Sequence, residues 1–368
     1  MATRLSADPT VSAPPRPKSR AKVRLWLFAV AGLVWLMVLV GGVTRLTGSG
    51  LSITEWAPIL GALPPLNDAD WAAAFAKYRE IPQYRLMNAG MTLADFRFIY
   101  GWEWTHRLLG RLIGVAYAVP MVVFLATGAI RRAELPRFLA LLVLGGLQGV
   151  IGWWMVASGL VDRVSVAPLR LAVHLTLAAM IFAALLWTAL TLAEAGRPSR
   201  PMSRRRRLAA AVVLAWVFVQ IFLGALVAGN DAGLVYNTWP MMGEHFVPPE
   251  LMAYDPWWVN LFENHATVQF LHRMGAYLLF ALALAQFVSI VVSGRTATAR
   301  VSAFALGFMA AFQILVGIAT LLLQVPLSLA IVHQGVAMLV LVAAVTHAVS
   351  VFSPGRVVAG LSHAADRL

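Results

Sequence analysis

The stretch Met91–Arg111, MTLADFRFIYGWEWTHRLLGR, decides how this chain folds. It opens polar, with Thr92 placed to cap a short helix and Asp95 at its third position, a capping-box-like arrangement. It closes inside an apolar run long enough to enter a bilayer. Between these ends stand Glu103, His106 and the arginines 97, 107 and 111. Charge at the border of an apolar helix is costly unless it serves a purpose. The stretch therefore reads as a membrane helix with Glu103 and His106 at the mouth of a site.

Working outward, composition agrees. Of 368 residues, 60% are hydrophobic and 12% charged, and the mean hydropathy is +0.76. That is the balance of a membrane protein. Cysteine is absent, which removes disulfides, thiolate metal sites and thiol catalysis. The formal net charge of +13 raises nucleic acid as a partner. The arginines fall mainly in short inter-helix segments, however, so they read as a topology signal and lipid contact, with no nucleic-acid partner.

Residues 1–24 are rich in Pro, Ser, Ala and basic side chains and read as a disordered cytoplasmic tail; a mitochondrial presequence is the weaker reading, because prolines interrupt any amphipathic helix. Eight apolar runs follow, at about 25–44, 104–128, 138–157, 170–193, 208–228, 268–292, 301–323 and 328–352, each able to cross ~30 Å of hydrocarbon. With the tail in the cytoplasm, nineteen of the 29 Lys and Arg residues fall on that side. The positive-inside rule then puts both termini in the cytoplasm of a bacterial cell and the two long loops, about 46–103 and 229–267, across its inner membrane, with a mitochondrial inner membrane as the lesser alternative. The first loop reads as partly helical, with Asn67 or Asp68 capping a run through Tyr84.

The two halves of the chain resemble each other in four ordered places. GSGLSITEWAP from 48 matches DAGLVYNTWP from 231, an offset of 183. EWTHRLLGR from 103 matches QFLHRMGAY from 269, an offset of 166. GLQGVIGWW from 146 matches AFQILVGIA from 311, an offset of 165, and LAVHLTLAA from 171 matches AIVHQGVAM from 330, an offset of 159. The fold class expected is an all-α polytopic membrane protein, with eight transmembrane helices as two pseudo-symmetric four-helix bundles. The N-terminal bundle spans 25–195, a basic cytoplasmic linker 196–207, the C-terminal bundle 208–352 and a cytoplasmic tail 353–368.

Four of the eight histidines occupy repeat positions: His106 and His174 in the first half, His272 and His333 in the second. Each lies near the non-cytoplasmic start of an even-numbered span. Imidazole is a common ligand of haem iron, and helices running in one direction through a bundle can present facing histidines at one depth. The competing reading for any one of them is a hydrogen bond to a neighbouring carbonyl. Arg107 and Arg273 directly follow His106 and His272, while Arg111, Arg45 and Arg170 lie at helix borders on the same side. Guanidinium forks suit the two propionates of haem; snorkelling to the interface is the plain alternative. His245 and His265, in the second loop without partners in the first half, read as surface or interface residues, with gating or a peripheral metal as the lesser reading; His347 and His363 are assigned no role.

The halves differ at one informative place. Glu103 is replaced by Gln269. Positions i and i+3 share a helix face, so Glu103 lies beside His106. A carboxylate can take up protons and an amide cannot, so the first half reads as reactive and the second as structural or electron-transferring. An ion pair of Glu103 with Arg107 is compatible with that role. Glu55 against Thr238 is a second, weaker asymmetry. E-x-x-H also occurs in di-iron bundles, but the facing spans lack the carboxylates these need.

GGVTRLTGSGLSITEW, the block YRLMNAGMTLADFRFIYGWEWTHRLLGR and the His272–Arg273 pair resemble the heme A synthase family, in its cysteine-free subtype of mitochondria and related proteobacteria. The resemblance runs through nearly everything after the tail. It implies an eight-span, two-bundle membrane enzyme that oxidises the C8 methyl of heme O to the formyl group of heme A for terminal oxidases. It implies that His106 and His174 face the substrate haem with Glu103 as the essential acid, and that His272 and His333 hold a permanent heme b that passes electrons. Electron removal from the substrate haem would make the methyl carbon electrophilic, oxygen from water or a peroxide would add, and Glu103 would take or relay the proton. Heme O synthase and oxidase assembly factors are implied partners, alongside an unidentified electron acceptor and the lipid bilayer; a homo-oligomer is left open. Two other functions use the same histidines: a di-haem, quinol-linked b-type cytochrome that leaves its haem unchanged, and a haem transporter or chaperone, for which DPWW at 255–258 is a hint. An ion-coupled transporter has little support, because the charges form no path across.

Overall fold

The computed structural model of the chain describes residues 17–57, 60–192, 202–293 and 296–353. Eleven α-helices follow in order: α1 Pro17–Leu46, α2 Asp68–Tyr78, α3 Pro82–Met87, α4 Leu93–Ala126, α5 Leu135–Ala157, α6 Pro168–Thr191, α7 Arg204–Gly229, α8 Asn260–Glu263, α9 His265–Val292, α10 Ala297–Leu322 and α11 Leu327–Phe352. Eight of them (α1, α4 to α7 and α9 to α11) are long and apolar enough to cross a membrane. No strand occurs among the described residues.

Four expectations need correction. Helix α1 begins at Pro17, so the end of the basic tail continues the first span as helix; residues 1–16 lie outside the described residues. The short helix capped by Thr92 and the span expected from 104 are one element, α4, of 34 residues. The capping box itself is present: the Thr92 hydroxyl accepts from the Asp95 N–H, and the Asp95 carboxylate accepts from the Thr92 N–H. Nothing after it stops the helix. The run expected from Asn67 to Tyr84 is instead two helices. Asn67 caps the first, accepting from the Asp70 N–H. Pro82 then disfavours helical backbone in the residue before it, and Ile81 is extended, with φ −82° and ψ 157°. Much of the linker expected at 196–207 lies outside the described residues, but its arginines 204–207 form the first turn of α7.

Within a bilayer every backbone polar group must be satisfied inside the protein. Pro120 inside α4 cannot donate to Ala116, and the freed Ala116 carbonyl accepts from the indole of Trp26 on α1 at 2.8 Å. Trp26 also packs against Tyr117, Phe124 and Phe138, which ties α1, α4 and α5 together.

In the first half α1 packs on α4, α4 on α5, α5 on α6 and α6 on α1. The second half repeats the cycle as α7 on α9, α9 on α10, α10 on α11 and α11 on α7. The two rings meet where α6 packs on α7 and α11 packs on α1 and α6. α11 is the most enclosed span, whereas α4 and α5 are the most exposed. Polar bonds cross this seam. The Gln334 amide donates to the Val38 carbonyl at 2.9 Å and the Trp35 indole to the Gly335 carbonyl at 3.2 Å, each worth ~1 kcal/mol in a membrane interior.

Candidate functional site

All four repeat histidines meet a glycine of the preceding spanning helix. A Cβ placed on Gly41, Gly152, Gly224 or Gly317 would come within 2.9, 3.0, 2.9 and 2.8 Å of Cε1 of His106, His174, His272 and His333, respectively. These distances leave no room for a methyl group, so each imidazole edge occupies the space an alanine side chain would fill. α1, α5, α7 and α10 supply the glycines; α4, α6, α9 and α11 supply the histidines.

Three of these cradles add a glutamine one turn before the glycine. Gln148, Gln220 and Gln313 donate through Nε2 to the main-chain carbonyls of His174, His272 and His333 at 3.0, 2.9 and 2.9 Å. The same nitrogens lie 3.2, 3.0 and 3.2 Å from the respective imidazole Nδ1 atoms. At the fourth cradle, His106 Nδ1 is buried without a hydrogen-bond partner.

Above the cradles, two arginines hold the loops in equivalent ways. Arg107 donates to the carbonyls of Ile53 and Glu55 at 2.8 and 2.9 Å. Arg273 donates to those of Tyr236 and Thr238 at 2.9 and 3.0 Å. Ile53 and Tyr236, and Glu55 and Thr238, are separated by the same 183 positions as the loop repeat. The helix-to-loop clamp is therefore duplicated residue for residue.

The residue between clamp and loop differs. Glu103 is 3% exposed. Its Oε2 accepts from the Ser52 hydroxyl at 2.7 Å and the Ile53 N–H at 2.8 Å, and its Oε1 from Arg107 Nη2 at 2.7 Å and Nε at 3.1 Å. A carboxylate has about four acceptor sites, and all are engaged. Gln269, equally buried, instead donates to the Tyr236 carbonyl at 3.2 Å. Ser52 corresponds to Val235. Glu55, the other expected asymmetry, points outward to an exposed ion pair with Lys77. Further along the second loop, Tyr236 donates to Glu250; that bond pushes the phenol up to about 12 and holds the carboxyl below its ordinary range.

The remaining arginines bond mainly to protein groups at the same ends of the helices. Arg111 donates to the Ala57 carbonyl at 2.9 Å. Arg45 pairs with Asp231 at 2.9 Å and caps the end of α7 through the Ala228 carbonyl, linking the halves. Arg170 donates to the Trp154 carbonyl and stacks over the Trp154 ring. Nε of Arg45 and of Arg273 are buried donors without a protein partner. His245 and His265 are exposed. His347 is buried at the other end of α11, between Gln286 and Ser302.

The residues present fit an iron porphyrin held between helices. The His272 and His333 ring centroids are 6.4 Å apart with planes at 80°. Two imidazoles sharing one metal at ~2 Å from each nitrogen stand about that far apart. No group of three or more His, Asp or Glu side chains able to hold a bare metal ion occurs among the described residues.

The four glycines, three glutamines and Ser52 escape a reading led by charge and histidine. The repeat did carry a signal for some of them: Gln148 and Gly152 align with Gln313 and Gly317 at the offset of 165, and Gly41 with Gly224 at 183.

Residues 24–345 match the family described as cytochrome oxidase assembly protein, COX15-CtaA. The chain is 52% identical over 347 residues to a protein named heme A synthase from Bradyrhizobium sp. (strain ORS 278), covering 94% of this chain and 95% of the relative. It is 53% identical over 339 residues to the heme A synthase of Azorhizobium caulinodans, covering 91% and 96%. With that of Rhodopseudomonas palustris (strain BisA53) it shares 55% identity over 324 residues, 87% and 88% of the two chains. The chain belongs to the COX15-CtaA family of cytochrome oxidase assembly proteins.

Proposed function

We propose that the chain is a heme A synthase, a membrane-bound oxidoreductase that converts the C8 methyl of heme O to the formyl group of heme A for terminal oxidase assembly. The observation that carries the site assignment is the occurrence of two pairs of histidine cradles with a buried carboxylate beside only one pair. On this reading His106 and His174 flank the substrate haem, and His272 and His333 would hold a resident heme b, which when bound supplies one-electron transfer to an acceptor. The spare Nε donors of Arg45 and Arg273 suit propionates; Arg107, Arg111 and Arg170 shape the mouth through the carbonyls they hold. The two four-helix rings form the substrate half and the heme b half. The chain sits in a bacterial inner membrane with both termini cytoplasmic and the haem sites toward the periplasm. Heme O synthase and oxidase assembly factors are the expected partners.

Taking a methyl to a formyl group with oxygen from water releases protons and electrons in equal number. Glu103 is the buried acceptor beside His106. Of its four donors, arginine stays charged and the backbone N–H keeps its proton, whereas the Ser52 hydroxyl can give one proton and accept another. Ser52 is therefore the route by which a proton reaches Glu103, and Val235 closes that route in the second half. Glu103 also docks the loop through the Ile53 N–H and the Ser52 hydroxyl, so it has a positioning role as well as a chemical one.

The experiment is co-expression with a heme O source, followed by chromatography of the extracted haems. Hydroxylated and formyl haem are expected. A pigment that is only unmodified haem would instead support a b-type cytochrome or a carrier.

A further inference from the structure

The four cradles are unequal. We infer that Gln148, Gln220 and Gln313 are positioning residues for three of the histidines, that Met37 occupies the equivalent place at His106, and that His106 is the ligand that releases haem most readily. This rests on the reading of the four histidines as haem ligands.

On α5, α7 and α10 the sequence runs Gln-x-x-x-Gly: Gln148 with Gly152, Gln220 with Gly224, Gln313 with Gly317. Four residues on one helix share a face, so the amide lies one turn from the cradle. Each amide donates to the histidine's own carbonyl and lies against its ring, near Nδ1 in all three and near Nε2 as well at His174 and His333. The backbone of the ligand is thereby tied to the neighbouring helix, and its ring is packed against the amide. On α1 the residue four before Gly41 is Met37, and 37 and 220 differ by the same 183 as the loop repeat. The methyl end of Met37 is the nearest group to Gly110, at 3.1 Å from where its Cβ would lie. A thioether has no N–H to donate and adapts its shape readily. His106 Nδ1 accordingly lies buried with no partner.

Groups that orient a metal-bound histidine typically change metal affinity 10–100-fold when removed. The second half has this support on both of its histidines, as a permanently bound haem needs. The first half has it on His174 alone. A site that must take in one haem and give up another gains from one ligand that can swing away.

The test is a reciprocal exchange in the full chain, purified in detergent and loaded with heme b as the probe. The variants are Met37→Gln and Gln313→Met. Release is followed by absorbance on transfer to excess apomyoglobin, and each site's low-spin signal by electron paramagnetic resonance. Met37→Gln is expected to slow release from the first half about 10–100-fold, and Gln313→Met to speed release from the second by a similar factor. In each case only the altered site's signal should shift. Met37→Leu, close in volume and without an amide, should keep the unmodified rate. Unchanged release and signal in Met37→Gln would overturn the inference, and that variant with its leucine control decides the matter even if Gln313→Met does not accumulate. Failure of the ligand reading looks different: His106→Ala and His333→Ala would each still bind haem at both sites with unaltered signals.

Discussion

The mouths of the two halves are the same machine with one part changed. In both, an arginine after the histidine clamps two loop carbonyls at matching positions. In the first, Glu103 accepts from the loop; in the second, Gln269 donates to it. Glutamine reproduces the attachment but not the charge. Attachment is thus what the repeat requires of both halves, and the buried carboxylate is what the first half has in addition. The cradles repeat the lesson one turn deeper, where Met37 stands in the place of Gln220 and loosens the same half.

The comparison breaks most severely at the cradles. Gly317→Ala would place a methyl 2.8 Å from His333 Cε1, and Gly41→Ala would do so at 2.9 Å from His106. Each is expected to empty the haem site of its own half while the other stays loaded, which haem-to-protein ratios and the number of low-spin signals would report. Loss of both haems from either variant would mean that the halves are not separate sites.

A smaller effect separates the two clamps. Arg107→Ala leaves Glu103, 3% exposed, without its counter-charge, and breaking a buried pair costs about 3 kcal/mol or more. Arg273→Ala leaves only the neutral carbonyl of Thr238 without a donor, because Gln269 still donates to the Tyr236 carbonyl and the Thr238 hydroxyl to that of Met241, at a cost of about 1–3 kcal/mol. Thermal unfolding in detergent should therefore rank Arg107→Ala as the less stable. The order should reverse or vanish when Arg107→Ala is combined with Glu103→Gln, because that double variant has no orphaned charge.

Much of this architecture is legible in the chain. The eight spans follow from apolar runs long enough to cross a bilayer, and His-Arg recurring at 106–107 and 272–273 marks the equivalent positions, although the loop carbonyls that those arginines hold are seen only in the fold. What sequence reading misses has a physical reason. Helix α4 begins at Leu93, more than two turns before its apolar run, because a capping box and the absence of proline carry a helix through polar residues. The break before Pro82 is local backbone sterics that a composition count passes over. The cradle glycines and their glutamines carry no charge and lie inside apolar runs, so only alignment of the halves brings them out. Ser52 is visible only once the loop is folded back onto α4. Glu55 offers the same charge as Glu103 in sequence, yet its side chain lies beside Lys77 at the surface and only its main-chain carbonyl takes part in the site.

The central claim is that Glu103 carries chemistry that Gln269 does not. Glu103→Gln keeps the size of the side chain and one of its two acceptor oxygens, and removes its charge and its capacity to take a proton, which makes the first mouth resemble the second. The direct measurement is chromatography of the haems extracted from membranes that co-express this variant with a heme O source, beside the unmodified chain. The account predicts haem bound at unmodified levels and no formyl product. Heme A at the level of the unmodified chain would contradict it.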